Sequence, residues 1–278
     1  MTTGLLSEKL ALVTGAGSGI GRKVCSLLAK EGAKVLATDQ NVKAVEDTVA
    51  ELQGTGHIPI KLNVKNVNDI EDLFTNIKRN FSIPTTIIVN NAGIVRSNSI
   101  VDMSEKDFND VIDVNLKGAF FIMQYAARAI INAGNTDDAS IINISSIASI
   151  IKYPYNANYT ASKAGMNGLI KTAAAEFLKY DTNIDLFFLK QTFIINFIIN
   201  PMMQLILGMA RVNAILPGLV NTPLSQTLHK ETIQELTENK IFKYTGKTND
   251  VAELVTFLAS PKSLFINGAL IEITGGYI

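Results

Sequence analysis

LALVTGAGSGIGR (Leu10–Arg22) is the stretch that decides the fold. A short apolar run, Leu10–Thr14, ends in closely spaced glycines, and a helix-period pattern follows through about Glu31. Strand, glycine-rich turn and helix is the context in which a glycine motif binds phosphate. Gly15 permits a tight turn, Gly19 permits close backbone approach, and Gly21 lets helix and strand pack together. The start of that helix offers free N–H groups and a partial positive charge to a pyrophosphate. A plain glycine turn is the competing reading, and the flanking strand and helix disfavour it.

The next strand, Lys34–Thr38, ends at Asp39, about 20 residues beyond the glycine loop, where an acid can hold ribose hydroxyls. A carboxylate there repels a 2′-phosphate. Ser18 adds no positive charge to the loop, although Arg22 follows it. The balance favours NAD(H) over NADP(H), against a reading in which Asp39 only caps a turn. The pattern then predicts helices at Val42–Leu52 and Asp69–Phe81, and a strand at Ile58–Leu62 that ends at Asn63–Val64. A strand at Thr85–Val89 runs into NNAG (Asn90–Gly93), and Met103–Ile131 holds one long helix carrying Asn115. Ser140–Ile144 is a strand with Ser145 and Ser146 at its end. A strand near Val212–Leu216 leads to Pro217–Gly218; a helix at Thr248–Ala259 and a strand at Ala269–Thr274 close the chain. Such alternation predicts an α/β fold: one Rossmann-type domain over residues 1–278, a doubly wound parallel sheet in three layers. Ligands of such sheets lie at the C-terminal ends of the strands. Gly15, Asp39, Asn90, Ser146 and Pro217 all fall there.

The stretch YTASKAGMNGLIKTAAAEF (Tyr159–Phe177) is alanine-rich, free of proline and helical in period. Residues four apart share a helix face, so the Tyr159 phenol and the Lys163 ammonium point the same way. A free tyrosine titrates near pH ~10, and a fixed positive charge lowers that value. A phenol tuned toward neutrality can give a proton to a carbonyl oxygen or take one from an alcohol. By spacing alone, Tyr159 and Lys163 also fit an ordinary surface pair.

Composition narrows the field. Lys+Arg and Asp+Glu both number 25, so no basic excess points to nucleic acid. Hydrophobic residues make up 47%, enough for a sizeable core. The single cysteine, Cys25, cannot form an internal disulfide, fits a reducing compartment and falls in an apolar helix pattern. His57 and His229 are the only histidines, so no metal site is expected. Met1–Leu10 is short and weakly patterned for a signal or transit peptide.

With these motifs in order, TGAGSGIG (Thr14–Gly21), NNAG (Asn90–Gly93), Asn115, Ser146, Tyr159-x-x-x-Lys163 and PGLVNT (Pro217–Thr222), the chain resembles the short-chain dehydrogenase/reductase family along almost its whole length. It is most similar to the branch of 3-oxoacyl-[acyl-carrier-protein] reductases and 17-beta-hydroxysteroid dehydrogenases. The resemblance implies an oxidoreductase that interconverts a secondary alcohol and a ketone with NAD. The substrates implied are 3-oxoacyl or 3-hydroxyacyl thioesters, hydroxysteroids, or both. It makes Tyr159 the acid/base, Lys163 the residue that lowers the phenol and binds the nicotinamide ribose, Ser146 the carbonyl partner, and Asn115 the holder of a relay water. Cofactor contacts are implied from the loop (Gly15, Ser18, Gly19, Ile20, Gly21), from Asp39, Asn63 and Val64, and from the turn Asn91, Ala92 and Gly93. Pro217, Gly218, Val220 and Thr222 are implied beside the nicotinamide. Asn63 replaces the acid usual near the adenine. Ile147–Asn158, with Tyr153 and Tyr155, and a segment after Thr222 are implied as walls of the substrate pocket. The resemblance also implies a homo- or heterotetramer with a related reductase, pairing the Tyr159 and Asn115 helices, and a mitochondrial-matrix location with the cytoplasm as alternative. A non-catalytic nucleotide-binding scaffold or redox sensor on the same fold is the rival reading.

One segment departs from the family pattern. Between Ile184 and Arg211 stands an apolar insertion, DLFFLKQTFIINFIINPMMQLILGMA (Asp185–Ala210). Lys190, Asn196, Asn200 and Pro201 interrupt it, so no run reaches the ~18 apolar residues of a membrane span. An artefact of the gene model, a lipid- or partner-facing loop and a membrane anchor are the three readings. A large exposed apolar loop is an aggregation liability, which favours the first. Deleting Asp185–Ala210 and joining Ile184 to Arg211 is expected to give a more soluble protein that binds NADH at least as well. Expression yield, melting temperature and NADH affinity of both forms check this; a deletion that fails to fold shows the segment to be integral.

Overall fold

Strands β1 (Leu10–Thr14), β4 (Thr85–Asn90), β5 (Ser140–Ile144) and β6 (Arg211–Pro217) are buried along their whole lengths, as parallel strands covered on both faces must be. With β2 (Lys34–Asp39), β3 (Ile58–Lys61) and β7 (Leu270–Ile273) they form a seven-stranded sheet, order β3-β2-β1-β4-β5-β6-β7, with every neighbouring pair parallel. The computed structural model describes residues 4–133, 139–177 and 210–277.

Two apolar layers sandwich the sheet. On one face α1 (Gly19–Lys30), α2 (Val42–Ala50) and α8 (Thr248–Ala259) bury Val24, Leu28, Val45, Val251 and Val255. Cys25 sits in this layer, fully buried, and burial pushes its thiol up, so it is an inert core residue. On the other face α3 (Val67–Asn80), α5 (Ala119–Asn132) and α6 (Ala157–Phe177) bury Ile70, Phe74, Ile122, Met166 and Ile170. The fold is thus the three-layer, doubly wound single domain the alternation implied. The strand order reverses between β1 and β4, which opens the crevice there.

Two elements differ from the sequence reading. The long helix over Met103–Ile131 is α4 (Glu105–Ile112), then a π-helical turn at Asp113–Gly118, then α5. Periodicity near 3.6 cannot register the one extra residue of a π-turn. A further helix, α7 (Lys230–Glu238), stands where only a segment after Thr222 was expected.

The insertion Asp185–Ala210 lies outside the described residues except at Ala210. Its flanks are visible: Phe177, the last residue of α6, packs against a small cluster of Ile130, Ala139 and Ala210. Ala210 directly precedes β6, so this cluster lies at the N-terminal edge of the sheet, opposite the crevice.

Arg211 opens β6 and is 2% exposed. Its guanidinium donates to Leu258 O (2.9 Å), Ser263 O (3.2 Å) and Ser263 Oγ (2.8 Å). These acceptors stand at and just beyond the C-terminus of α8, the negative end of its dipole. Removing the cation leaves those carbonyls buried without it. Arg211→Met is expected to cost about 2–4 kcal/mol. Thermal denaturation should show a melting temperature lower by on the order of 10 °C.

Candidate active site

The glycine loop is shaped by contacts no side chain would allow. Gly15 has φ +64°, and a Cβ on Gly21 would lie 2.2 Å from the Gly15 carbonyl oxygen. A Cβ on Gly17 would lie 2.9 Å from Asp39 Oδ2. Asn91 holds the loop from β4: its Nδ2 donates to Thr14 O (2.9 Å) and Gly15 O (3.0 Å). Thr14 Oγ1 in return accepts the N–H groups of Asn91 (3.0 Å) and Ala92 (3.1 Å). Thr14 is a site residue that the sequence reading missed, because its role depends on what β4 brings beside it.

A crevice of three adjoining lobes runs along the strand ends, with Gly93 lining all three. Asp39, Asn63, Val64, Gln40 and Arg96 line the first lobe. The middle lobe has Gly15, Ser18, Gly19, Ile20, Asn91 and Ala92, with Thr222 opposite. Asp39 faces the crevice and also caps a turn: Oδ2 accepts from Gly17 N–H (3.0 Å) and Oδ1 from Asn41 N–H (2.9 Å). The turn cap is thus seen, and the carboxylate still lines the crevice. Arg22 donates to Gly17 O (2.7 Å) and Ala44 O (3.2 Å), which engages its charge on backbone carbonyls of the loop and of α2. A cradle that a Cβ would fill, a helix N-terminus behind it and a carboxylate at the next strand end are together the features a dinucleotide needs.

The third lobe holds the chemistry. Its walls include Ser146, Tyr153, Tyr159, Lys163, Gly218 and Val220. Pro217 also lines it, so Ser146, Tyr159 and Lys163 share one space with Pro217, Gly218, Val220 and Thr222. Tyr159 is 8% exposed, and the Ser146 hydroxyl nearby favours its ionised form. Ser145 instead ties β5 to α6, donating to Asn167 Oδ1 (2.8 Å) and Lys163 O (3.3 Å). Asn115 is fully buried within the π-turn. Its Oδ1 accepts Ile94 N–H (2.8 Å), and its Nδ2 donates to Ile94 O (3.0 Å) and Ser162 Oγ (3.2 Å). The amide is thereby tied between the turn after β4 and α6, where it stabilises the irregular helix from inside.

Lys163 corrects an expectation. It was expected to lower the phenol, yet burial pushes the Tyr159 phenol up, with Ser146 opposing. Lys163 Nζ donates to Ile144 O (2.7 Å) and lies 5.7 Å from the centre of the Tyr159 ring. Burial also lowers Lys163 to about 8. Burial strips water from a phenolate, and that cost outweighs the opposing influence of Ser146. Tyr155 is a second correction. Tyr153 lines the lobe 6.0 Å from the Tyr159 ring, but Tyr155 stands outside, stacked on His229 at 5.1 Å. Leu224, Leu228 and Leu236, from α7 and the segment before it, complete an apolar wall the sequence reading did not name. Their spacing across Leu224–Leu236 was the available signal.

Comparisons agree with this geometry. A family model described as short chain dehydrogenase matches residues 9–188, and one described as Enoyl-(Acyl carrier protein) reductase matches 204–278. The chain belongs to the short-chain dehydrogenase/reductase family. It is an oxidoreductase of the EC 1.1.1 type, and the family binds a nicotinamide cofactor. Among its relatives, (3R)-3-hydroxyacyl-CoA dehydrogenase of Homo sapiens is 37% identical, covering 98% of this chain and 96% of that one. The 3-oxoacyl-[acyl-carrier-protein] reductase of Thermotoga maritima is 34% identical, covering 98% and 99%. A solved structure of a putative gluconate dehydrogenase from Agrobacterium tumefaciens superposes with TM-score 0.81 at 28% identity, covering 97% of this chain and 96% of that one. A short-chain type dehydrogenase/reductase from Mycobacterium marinum does so with 0.81 at 28%, covering 98% and 96%. Among the described residues no helix is long and apolar enough to cross a membrane, and no cluster of ligating side chains suggests a metal.

Proposed function

We propose that this chain interconverts 3-oxoacyl and 3-hydroxyacyl thioesters with NAD(H). The observation that carries the reading is the shared cavity: Ser146, Tyr159 and Lys163 line a lobe continuous with the glycine-loop groove. The names of the relatives support the thioester class. Hydroxysteroids, the second class the sequence suggests, are the competing substrate. The complete set of Ser146, Tyr159, Lys163 and Asn115 favours an enzyme over a nucleotide-binding scaffold.

The nicotinamide, when bound, supplies the hydride exchange at carbon. The chain's own groups manage the oxygen. Ser146 Oγ and the Tyr159 hydroxyl converge where a substrate carbonyl would accept two hydrogen bonds. A raised phenol keeps its proton at neutral pH, the form needed to protonate the oxygen of a ketone. Lys163, lowered to about 8, is still largely an ammonium near pH 7. In that form it can hold ribose hydroxyls and favour the phenolate once the proton has left. Alcohol oxidation needs the phenol deprotonated first, so raising the pH should favour that direction. Asn115 acts at one remove, by fixing Ile94 and Ser162; holding a relay water is the role we assign to it.

For the cofactor, Asp39 at the first lobe and the engagement of Arg22 on backbone carbonyls support NAD(H) over NADP(H). A groove between α5 and α6 lined by Phe120, Met123, Leu169 and Phe177, left open by the described residues, supports assembly with a second copy or a related reductase, up to the expected tetramer.

Two substitutions test the reading. Tyr159→Phe keeps the ring and removes the proton, so ketone reduction should fall about 10²–10⁴-fold while NADH still binds. Steady-state rates and NADH fluorescence titration check this; an undiminished rate removes Tyr159 from the mechanism. Asp39→Ala should weaken NADH use and relax discrimination against NADPH. The ratio of kcat/KM for the two cofactors measures it, and a parent that already prefers NADPH refutes the role given to Asp39.

A further inference from the structure

The third lobe has two walls. Tyr153 stands on the wall before α6, and Leu228 stands on the wall before α7. Two residues beyond Tyr153 is Tyr155, and directly after Leu228 is His229. The rings of Tyr155 and His229 lie 5.1 Å apart with planes 29° from parallel, which joins the two walls outside the lining residues. Tyr155 is 42% exposed, so the stack is on the surface, next in sequence to the lining residues Tyr153 and Leu228.

The backbone at Tyr155 is held in an unusual state. Its φ is +63°, in the left-handed region that favours glycine. Such a conformation persists only where the surroundings enforce it. Here Asn98 N–H donates to Tyr155 O (2.8 Å), Ser97 Oγ donates to Asn156 Oδ1 (2.6 Å), and Asn156 Nδ2 donates to Pro154 O (2.8 Å). Across the mouth, Thr222–Leu228 is less tied. Its hydrogen bonds among the described residues run within the segment: Thr222 with Ser225 and Gln226, Leu224 with Thr227, and Ser225 with Leu228. What joins it to the opposite wall is apolar contact at Leu228 and the ring stack.

We propose that the Tyr155–His229 stack sets substrate choice: it narrows the mouth so that a linear acyl chain enters and a rigid fused-ring ketone does not. The inference rests on the oxidoreductase reading above and decides between its two substrate classes. The apolar wall of Leu224, Leu228 and Leu236 suits either class by polarity, so width is the distinguishing property. A chain threads a gap that a fused-ring frame cannot bend to pass.

The backbone supplies a clean variant. Tyr155→Gly removes the ring at a position whose φ suits glycine, so the melting temperature should stay close to the parent's. His229→Ala removes the other ring from the opposite side. The experiment compares reduction of a straight-chain 3-oxoacyl-CoA and of a 17-ketosteroid by the parent and both variants. The parent is expected to favour the thioester. In both variants the kcat/KM ratio of ketosteroid to thioester should rise about tenfold or more, with kcat on the thioester near the parent's. A parent that reduces both alike overturns the proposal, as do variants that reduce the thioester normally with an unchanged ratio. A parent that binds NADH and reduces neither ketone overturns the oxidoreductase reading and this proposal with it.

Discussion

The architecture depends on how β1 and β4 part company. Neighbouring parallel strands satisfy each other's backbone groups until the chain must turn away, and beyond that point the N–H and C=O groups have no ladder partner. Here the parting is closed by side chains: Asn91 donates to the carbonyls of Thr14 and Gly15, and Thr14 accepts from Asn91 and Ala92. The lock fixes the glycine loop relative to the turn after β4. Gly21 can then approach Gly15 and Gly93 can line all three lobes. A shift of β4 along β1 would move both halves of the crevice at once.

A second set of buried amides carries that order to α6. Asn115 bridges Ile94 and Ser162, while Asn158 accepts Tyr159 N–H (2.7 Å) and donates to Arg96 O (3.0 Å) and Asp107 O (3.2 Å). Satisfied polar groups in a low-dielectric interior hold geometry tightly, because each has much to lose by moving. The start of α6 is therefore set by the loop after β4 and by α4. This rigidity has an electrostatic counterpart. The same burial that fixes Tyr159 raises its phenol, and it lowers Lys163 to about 8. A protonated phenol near a weakened cation is poised to donate first.

Much was legible in the sequence. Alternating apolar runs and helix-period stretches are local, so the seven strands, the parallel sheet and the crevice at the strand ends could be read directly. Gly15, Asp39, Asn91, Ser146, Tyr159 and Lys163 could be picked out because each stands at a strand end or on one helix face. The π-turn was hidden, since one extra residue barely perturbs an amphipathic pattern. The polar face of α7 concealed a helix whose Leu236 completes the pocket.

By itself, then, the sequence determined the order of elements, the sheet and the residue types gathered at its C-terminal edge. Only the tertiary structure decided their states: Lys163 bonded to Ile144 O as it stands over the Tyr159 ring, Tyr155 on His229 rather than among the residues lining the lobe, and Arg211 as the cap of α8. The reason is physical. Periodicity records which face of an element is apolar, and that is a property of neighbours in sequence. Which carbonyl a buried cation meets, and whether burial outweighs charge at a phenol, depends on groups distant in the chain that folding alone brings together.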